Sequence, residues 1–275
     1  MMNNPHIKIL ILNYNGQDII HKCLESTMDV DYANYSVDVI DNGSTDNSVN
    51  IIKESFNNIK IHKINENLGY SKGYNYGFSK LEKQTFEYYL ILNNDAIINK
   101  NLLKNLLNNA NRYGYNNIYG PKIYYSNTSK LWFAGGLYNE FLGIASHIGM
   151  NEIEDNVLYK TNQTNYISGC CMFISKKNID DLAGFDDSYN MYYEDVDLCY
   201  RASKNNMKCY VIEGDPISHE VSYTIGNHSI NKKYRMIMSQ IKFIYKSNNI
   251  LFFIISIILN ILLIPIILIR KIIRL

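Results

Sequence analysis

Two short acidic constellations carry the chemistry this sequence could perform. Residues 90–98 read Leu-Ile-Leu-Asn-Asn-Asp-Ala-Ile-Ile, an apolar run that ends in side-chain amides and one carboxylate. Asn93 and Asp95 lie two apart, so on an extended chain they share a face and present hard oxygen donors suited to Mg²⁺ or Mn²⁺ on a diphosphate. The same composition also describes a polar turn after a strand. The second constellation is Glu194-Asp195, inside Tyr-Glu-Asp-Val-Asp-Leu-Cys-Tyr-Arg at 193–201. Val196, Cys199 and Tyr200 recur at helical spacing, which places both carboxylates at a helix N-terminus, where backbone N–H groups favour the ionised form. Ordinary N-terminal helix charge looks the same. His219 follows an apolar run at 209–213 and reads either as a structural histidine or as a partner in a divalent site.

Such groups need a scaffold that delivers them to one edge, and the chain repeats a suitable unit. Apolar runs at 8–12, 37–40 and 90–92, with an alternating one at 59–64, each give way to polar turns and, apart from the last, directly to helical periodicity. Recurring β-α units predict a parallel, doubly wound sheet, whose ligands bind beyond the carboxyl ends of its strands. Tyr14 falls at that edge and could stack on a nucleobase or pack the loop. Asp41 also falls there and could accept the imide N–H of uracil or thymine. Gly69, Gly73 and Gly77 line one helical face, for close approach to a ligand or for packing on the sheet. Lys72 could reach a phosphate or stay solvated. An amphipathic helix is expected over 101–112, an edge strand over 118–124 because Pro121 cannot donate to a ladder, and a buried strand over 166–174. Residues 126–164, with Trp132 and Gly135-Gly136, carry no diagnostic pattern.

Composition limits the function. A chain of 275 residues with 47% hydrophobic residues and 24 Tyr can bury one large core or two small ones, and is not disordered. Its 27 basic and 26 acidic residues nearly cancel, so no global field attracts nucleic acid, and any anion must be held locally. The five cysteines form no C-x-x-C pair, which suits a reducing compartment, and no secretory signal is expected at the start.

Taken together, Ile-Leu-Asn-Tyr-Asn-Gly at 11–16, Asp-Asn-Gly-Ser-Thr-Asp at 41–46, Asn-Leu-Gly-Tyr-Ser-Lys-Gly-Tyr-Asn-Tyr-Gly at 67–77, Leu-Asn-Asn-Asp at 92–95, Ser-Gly-Cys-Cys-Met at 168–172, Gly-Phe-Asp at 184–186 and the 193–201 stretch resemble family 2 inverting glycosyltransferases of the GT-A fold, in particular the rhamnosyltransferase-like subgroup. The resemblance covers about residues 7–245 and rests on the order of the motifs. It implies a Rossmann-like, mostly parallel sheet flanked by helices. It implies that Tyr14 and Asp41 contact the nucleobase, and that Asn13, Asn67, Gly69, Lys72, Gly73, Asn93 and Asn94 help hold the nucleotide sugar. Asp95 matches the metal-binding aspartate of the D-x-D motif, and His219 is similar to a histidine that completes the metal site in some members. Asp195 matches the catalytic base, with Glu194 as second choice or acceptor-orienting residue. Two departures stand out: Asn93 replaces the first aspartate of D-x-D, and the usual glycine near Asn206 is missing.

Beyond this catalytic unit, 1–247, the segment 248–275 is set apart by an almost wholly apolar run at 250–269, broken by Ser256, Asn260 and Pro265. As a helix it spans about 30 Å, enough for a bilayer core. Lys242 and Lys246 precede it, and Arg270, Lys271 and Arg274 follow. A C-terminal membrane helix is therefore expected, with a shallow or hairpin insertion bent at Pro265 as the alternative. The resemblance implies a UDP- or dTDP-sugar donor, dTDP-rhamnose among them, a glycan or lipid-linked acceptor for cell-envelope polysaccharide, a divalent metal and a catalytic unit facing the cytoplasm. The competing reading is a non-catalytic GT-A-fold membrane scaffold or nucleotide-sugar-binding protein.

Overall fold

The computed structural model describes residues 4–156, 162–220, 230–248 and 250–273. Strand β1 (Ile7–Asn13) leads to α1 (Ile20–Met28), β2 (Tyr35–Asn42) to α2 (Ser48–Ser55), and β3 (Lys60–Ile64) to α3 (Tyr70–Leu81). Then β4 (Tyr88–Asn93) and the short β5 (Ala96–Ile97) precede α4 (Leu102–Tyr113). Short strands follow: β6 (Ile118–Gly120), β7 (Ile123–Tyr125), β8 (Leu131–Phe133), β9 (Gly136–Asn139), β10 (Ile144–His147) and β11 (Gln163–Thr164). After them come β12 (Cys171–Ser175), α5 (Lys176–Asp181), α6 (Glu194–Lys204), β13 (Cys209–Val211), β14 (Ile217–His219), α7 (Ile230–Ser247) and α8 (Ile250–Ile273).

Among the described residues the strands form one eight-stranded sheet, ordered β11-β13-β6-β12-β4-β1-β2-β3, a four-stranded sheet, β5-β14-β7-β8, and the hairpin β9-β10. The expected β-α units make the parallel half, β4-β1-β2-β3, with β1 at the point where the strand order reverses. The mostly parallel expectation holds with two exceptions: β6 and β13 run in the same direction as β4, whereas β12 runs antiparallel to β4 and β6, and β11 antiparallel to β13. A central strand is apolar on both faces whichever way it runs, so its direction is not written in its composition. The expected edge strand over 118–124 is also corrected: it is two strands parted at Pro121, with β6 inside the large sheet and β7 in the small one. The missing N–H of Pro121 falls where the chain leaves one ladder for another.

The core is continuous. Leu90, Ile91 and Leu92 of β4 are fully buried, each contributing about 1.5–3 kcal/mol. Helix α3 lies close on the sheet because it carries glycine where it crosses. A Cβ on Gly73 would stand 2.7 Å from Leu12 Cδ1, and one on Gly77 would stand 2.2 Å from Ile40 Cδ1. Toward the amino end of β1, and within β2 and β3, Lys8 Nζ donates to Asp38 at 2.7 Å and His62 Nε2 lies 2.6 Å from its other oxygen, all three buried. Burial alone would push the Asp38 carboxyl up, but the hydrogen bonds from His62 and Lys8 outweigh it and hold the group below the usual carboxylate range.

Helices α7 and α8 pack on the turn of the β9-β10 hairpin. Ser256, fully buried, donates to the Phe141 carbonyl, and Asn260 Nδ2 donates to the Leu142 carbonyl at 3.0 Å. The polar breaks in the apolar run are thus its points of attachment. The other side of the pair exposes Tyr234, Ile237, Ile250, Leu251, Ile254, Ile258 and Ile261. Among the described residues no helix is long and apolar enough to cross a membrane; the side chains at 262–269, the second part of the expected span, lie outside them. Arg274 lies outside the described residues.

Candidate active site

The carboxyl ends of β1, β2 and β4 form the floor of a cleft. Asn13, fully buried at the end of β1, donates through Nδ2 to Ser48 Oγ at 3.0 Å and Ser44 Oγ at 3.2 Å, while its Oδ1 accepts from Asn94 Nδ2 at 2.9 Å. The amides of Asn13 and Asn94 are therefore committed to shaping the cleft floor. Asp41 lies beside them, 3.5 Å from Asn13 Nδ2, and Tyr14 is half-buried at the rim.

The loop leading into α3 is fixed by a residue the sequence did not single out. Asn42 Nδ2 donates to Asn67 Oδ1 and to the Gly69 carbonyl, each at 3.1 Å, and Asn42 Oδ1 accepts from Leu68 N–H at 3.0 Å. Asn67 Oδ1 also takes the Gly69 N–H at 2.8 Å. Gly69 has φ 81°, a left-handed backbone that favours glycine, and its missing Cβ leaves room for the Asn190 carbonyl. Gly73 faces the sheet, whereas Lys72 is exposed.

At the end of β4, Asn93 is half-buried and Asp95 turns toward the small sheet. There β14 pairs with β5, setting His219 opposite Ala96. His219 Nε2 lies 2.9 Å from Asp95 Oδ1, yet Asp95 Oδ1 and His219 Nδ1 are buried with no hydrogen-bond partner. Adjacent ligands on an octahedral cation with bonds of about 2.1 Å also lie about 3 Å apart, so the pair fits a divalent ion with diphosphate and water completing its shell. No group of three His, Cys, Asp or Glu side chains gathers among the described residues, here or elsewhere, so the chain itself offers two such ligands at this place. Trp132 packs edge-on against His219, with ring centroids 4.5 Å apart, and against His147, which burial holds neutral by lowering its imidazole to about 4.

Opposite stands the acidic pair. Helix α6 begins at Glu194, after Tyr192 and Tyr193 with φ of 71° and 68°. Left-handed backbone at two consecutive aromatic residues costs about 1–3 kcal/mol each and marks a conformation imposed by its surroundings. Asp195 Oδ2 accepts the Gly169 N–H at 2.9 Å, and Oδ1 accepts the Val196 N–H at 2.8 Å. Burial raises the Asp195 carboxyl, an effect these N–H groups only partly offset. Glu194 is pushed up much further, by burial and then by the charge of Asp195, and its Oε2 has no hydrogen-bond partner. Both carboxyls are thus raised above the usual range, Glu194 further than Asp195.

The segment at 168–171 joins the two halves. Tyr70, the first residue of α3, donates its hydroxyl to the Gly169 carbonyl at 2.7 Å, and the Cys170 carbonyl accepts the Asn93 N–H at 2.9 Å. A Cβ on Gly169 would stand 2.4 Å from the Tyr70 hydroxyl, so a side chain there would displace the hydroxyl or the Gly169 peptide. The structure therefore connects Asp195 to the end of β4 through Gly169 and Cys170, and pairs Asp95 with His219, with Tyr70 and Gly169 as linking residues the sequence did not reveal.

The profile of glycosyl transferase family 2 matches residues 8–182. The chain belongs to that family. Among curated proteins, it is 26% identical over 235 residues to the low-salt glycan biosynthesis hexosyltransferase Agl10 of Haloferax volcanii, covering 80% of this chain and 71% of that one. It is 23% identical over 216 residues to the N-acetylglucosaminyl-diphospho-decaprenol L-rhamnosyltransferase of Mycobacterium tuberculosis, covering 70% and 68%. Among solved structures, GalNAc-T7 with UDP, GalNAc and Mn²⁺ superposes with a TM-score of 0.68 at 12% identity, over 89% of this chain and 48% of that one. S. aureus TarS 1–349 in complex with UDP superposes with a TM-score of 0.57 at 18% identity, over 86% and 65%. These similarities establish a GT-A-like fold. Family 2 membership and the named relatives identify the chain as a glycosyltransferase, so the non-catalytic scaffold reading is set aside.

Proposed function

We propose that this family 2 glycosyltransferase is an inverting, metal-dependent enzyme that moves a hexose or deoxyhexose from a UDP- or dTDP-sugar to a lipid-linked glycan acceptor. The observation that supports it is the buried Asp95–His219 pair at the end of β4, linked through Cys170 and Gly169 to Asp195 of the Glu194–Asp195 pair. Asp95 and His219 hold the divalent cation, Mg²⁺ or Mn²⁺, and Asn93 offers a neutral oxygen beside them. When bound, the cation stabilises the negative charge that builds on the departing diphosphate.

Asp195 takes the proton of the acceptor hydroxyl as that oxygen attacks the anomeric carbon from the face opposite the diphosphate. Its raised carboxyl makes it a stronger base, and the Gly169 and Val196 N–H groups orient it. No enzyme nucleophile is needed, and the single displacement inverts the anomeric centre. Glu194, protonated, is free to donate to an acceptor oxygen. Tyr14 and Asp41 border the position of the base, and Lys72 lies on the helix that opens toward the phosphates.

The enzyme works at the cytoplasmic face of a membrane. Supporting this are the acceptor in the name of the mycobacterial relative, a decaprenol diphosphate, and the exposed apolar residues of α7 and α8, with Lys232, Lys233 and Arg235 in the opening turns of α7. A helical pair in this arrangement lies in the interface with its apolar face among the acyl chains. Incubation with UDP-glucose, UDP-N-acetylglucosamine or dTDP-rhamnose and a polyprenyl-diphosphate-linked N-acetylglucosamine, followed by NMR of the new anomeric proton, tests the proposal. An inverted linkage is expected; a retained configuration would contradict it.

A further inference from the structure

The loop at 184–193 carries the acidic pair into the cleft in a backbone conformation it would not hold unaided. On one side it is tied to the donor helix: Asn190 accepts the Tyr70 N–H at 2.9 Å, and Asn75 donates to Asp187 at 2.7 Å. On the other it is gripped along its length by α7. Ser239 Oγ, buried, donates to the Met191 carbonyl at 3.2 Å, directly before the two left-handed residues. Phe243, fully buried, packs on Tyr193 with centroids 5.8 Å apart. Lys242 donates to the Ser188 carbonyl, and Lys246 to Asp186 and, at 3.0 Å, to Ser188 Oγ. Both ammonium groups sit over the Tyr189 ring, at 5.5 and 5.4 Å. Burial alone would raise the Asp186 carboxyl, but the hydrogen bonds from Lys246 and Ser188 outweigh it and hold the group down at about 2, so the Lys246 pair stays charged across the working pH range.

We propose that α7 is a positioning element for sugar transfer: Ser239 and Phe243, acting through the Met191 carbonyl and the Tyr193 ring, hold the left-handed Tyr192-Tyr193 turn that aims Asp195. The proposal rests on Asp195 being the base. It gives the C-terminal helices a part in the reaction besides attachment, because the helix that exposes Tyr234 and Ile237 on one side holds the base loop with the other. A shift of about 1 Å in a reacting group is enough to cost about a hundredfold in rate.

The test uses the full chain in detergent, with whichever of UDP-glucose, UDP-N-acetylglucosamine or dTDP-rhamnose supports turnover. Ser239→Ala and Phe243→Leu are compared with wild type for kcat, donor KM, Tm and hydrogen exchange at the Gly169 and Val196 amides that bind Asp195. Ser239→Ala is expected to lower kcat about tenfold and Phe243→Leu further, with donor KM unchanged and faster exchange at those two amides. Adding Tyr192→Gly, which makes the left-handed turn intrinsic to the chain, is expected to restore most of the kcat lost in Ser239→Ala. Unchanged kcat in Ser239→Ala, or a loss that follows Tm and is not recovered by Tyr192→Gly, would overturn the role of α7. Asp195→Asn run alongside separates the two levels: if it stays active, the base assignment fails and the proposal with it. An inactive Asp195→Asn beside an unaffected Ser239→Ala would remove only the role of α7.

Discussion

Gly169 places its backbone N–H 2.9 Å from Asp195 Oδ2, and this contact joins the carboxylate to the floor of the cleft. The next residue, Cys170, holds the Asn93 N–H, so two consecutive peptide groups connect the acidic pair to the end of β4. Asp195, the proposed base, is therefore tied to the end of β4 by the turn before β12.

That connection predicts the behaviour of Gly169→Ala. The new Cβ would stand 2.4 Å from the Tyr70 hydroxyl, so the hydroxyl or the Gly169 peptide must move. The expected result is a kcat about ten- to a hundredfold lower, with the fold retained by circular dichroism. Tyr70→Phe in the same chain removes the obstructing oxygen and is expected to recover part of the loss.

The two carboxyls differ in environment and should differ in mutation. Asp195→Asn is expected to lower kcat about 10²–10⁴-fold, the usual worth of a general base. Glu194→Gln keeps the shape and the neutral charge of a protonated glutamate, and is expected to retain most activity in steady-state assays. The opposite ranking would exchange their roles.

The pH profile follows from the raised Asp195 carboxyl. With Asp195 as the proposed base, activity would require the ionised form, and kcat is expected to fall on the acid side with an apparent pKa above the ordinary aspartate range. For stability the sign runs against this group. A folded-state pKa raised above the unfolded one favours folding below the unfolded value and loses that contribution as pH rises through the folded value. Asp195→Asn is accordingly expected to raise Tm at neutral pH while lowering activity.

Away from the cleft, the buried Lys8–Asp38–His62 group should dominate acid stability. The lowered Asp38 carboxyl contributes stability above its unfolded pKa and loses it as pH falls through the lower folded value. Asp38→Asn leaves the Lys8 charge buried and unpaired, and is expected to cost about 3–5 kcal/mol in denaturant titrations.

Much of this was legible in the sequence, in ways that differ by residue. The repeated apolar runs announced the parallel half of the sheet, and the helical spacing of Val196, Cys199 and Tyr200 placed Glu194 at the start of α6. The direction of β12 was not legible, because its neighbours are chosen by pairing across distant segments and its residues are apolar on both faces. Pro121 signalled a break in hydrogen bonding but not that the chain changes sheets there. The glycine spacing on α3 left ligand approach and packing open, and at Gly73 a Cβ would meet Leu12 of the sheet. Asn42, Tyr70 and Gly169 act only through long-range contacts that periodicity does not encode. Ser256 and Asn260 looked like defects in an apolar run and prove to be its attachments to the β9-β10 turn.

The central claim is that Asp95 and His219 hold a divalent cation against a nucleoside diphosphate, and calorimetry tests it most directly. UDP and dTDP, each with and without Mn²⁺, are titrated into the detergent-solubilised chain and into its Asp95→Ala and His219→Ala variants. The account predicts binding that requires Mn²⁺ in the wild type and is lost or sharply weakened in both variants. Equal affinity with and without Mn²⁺, or binding undiminished in Asp95→Ala, would contradict it.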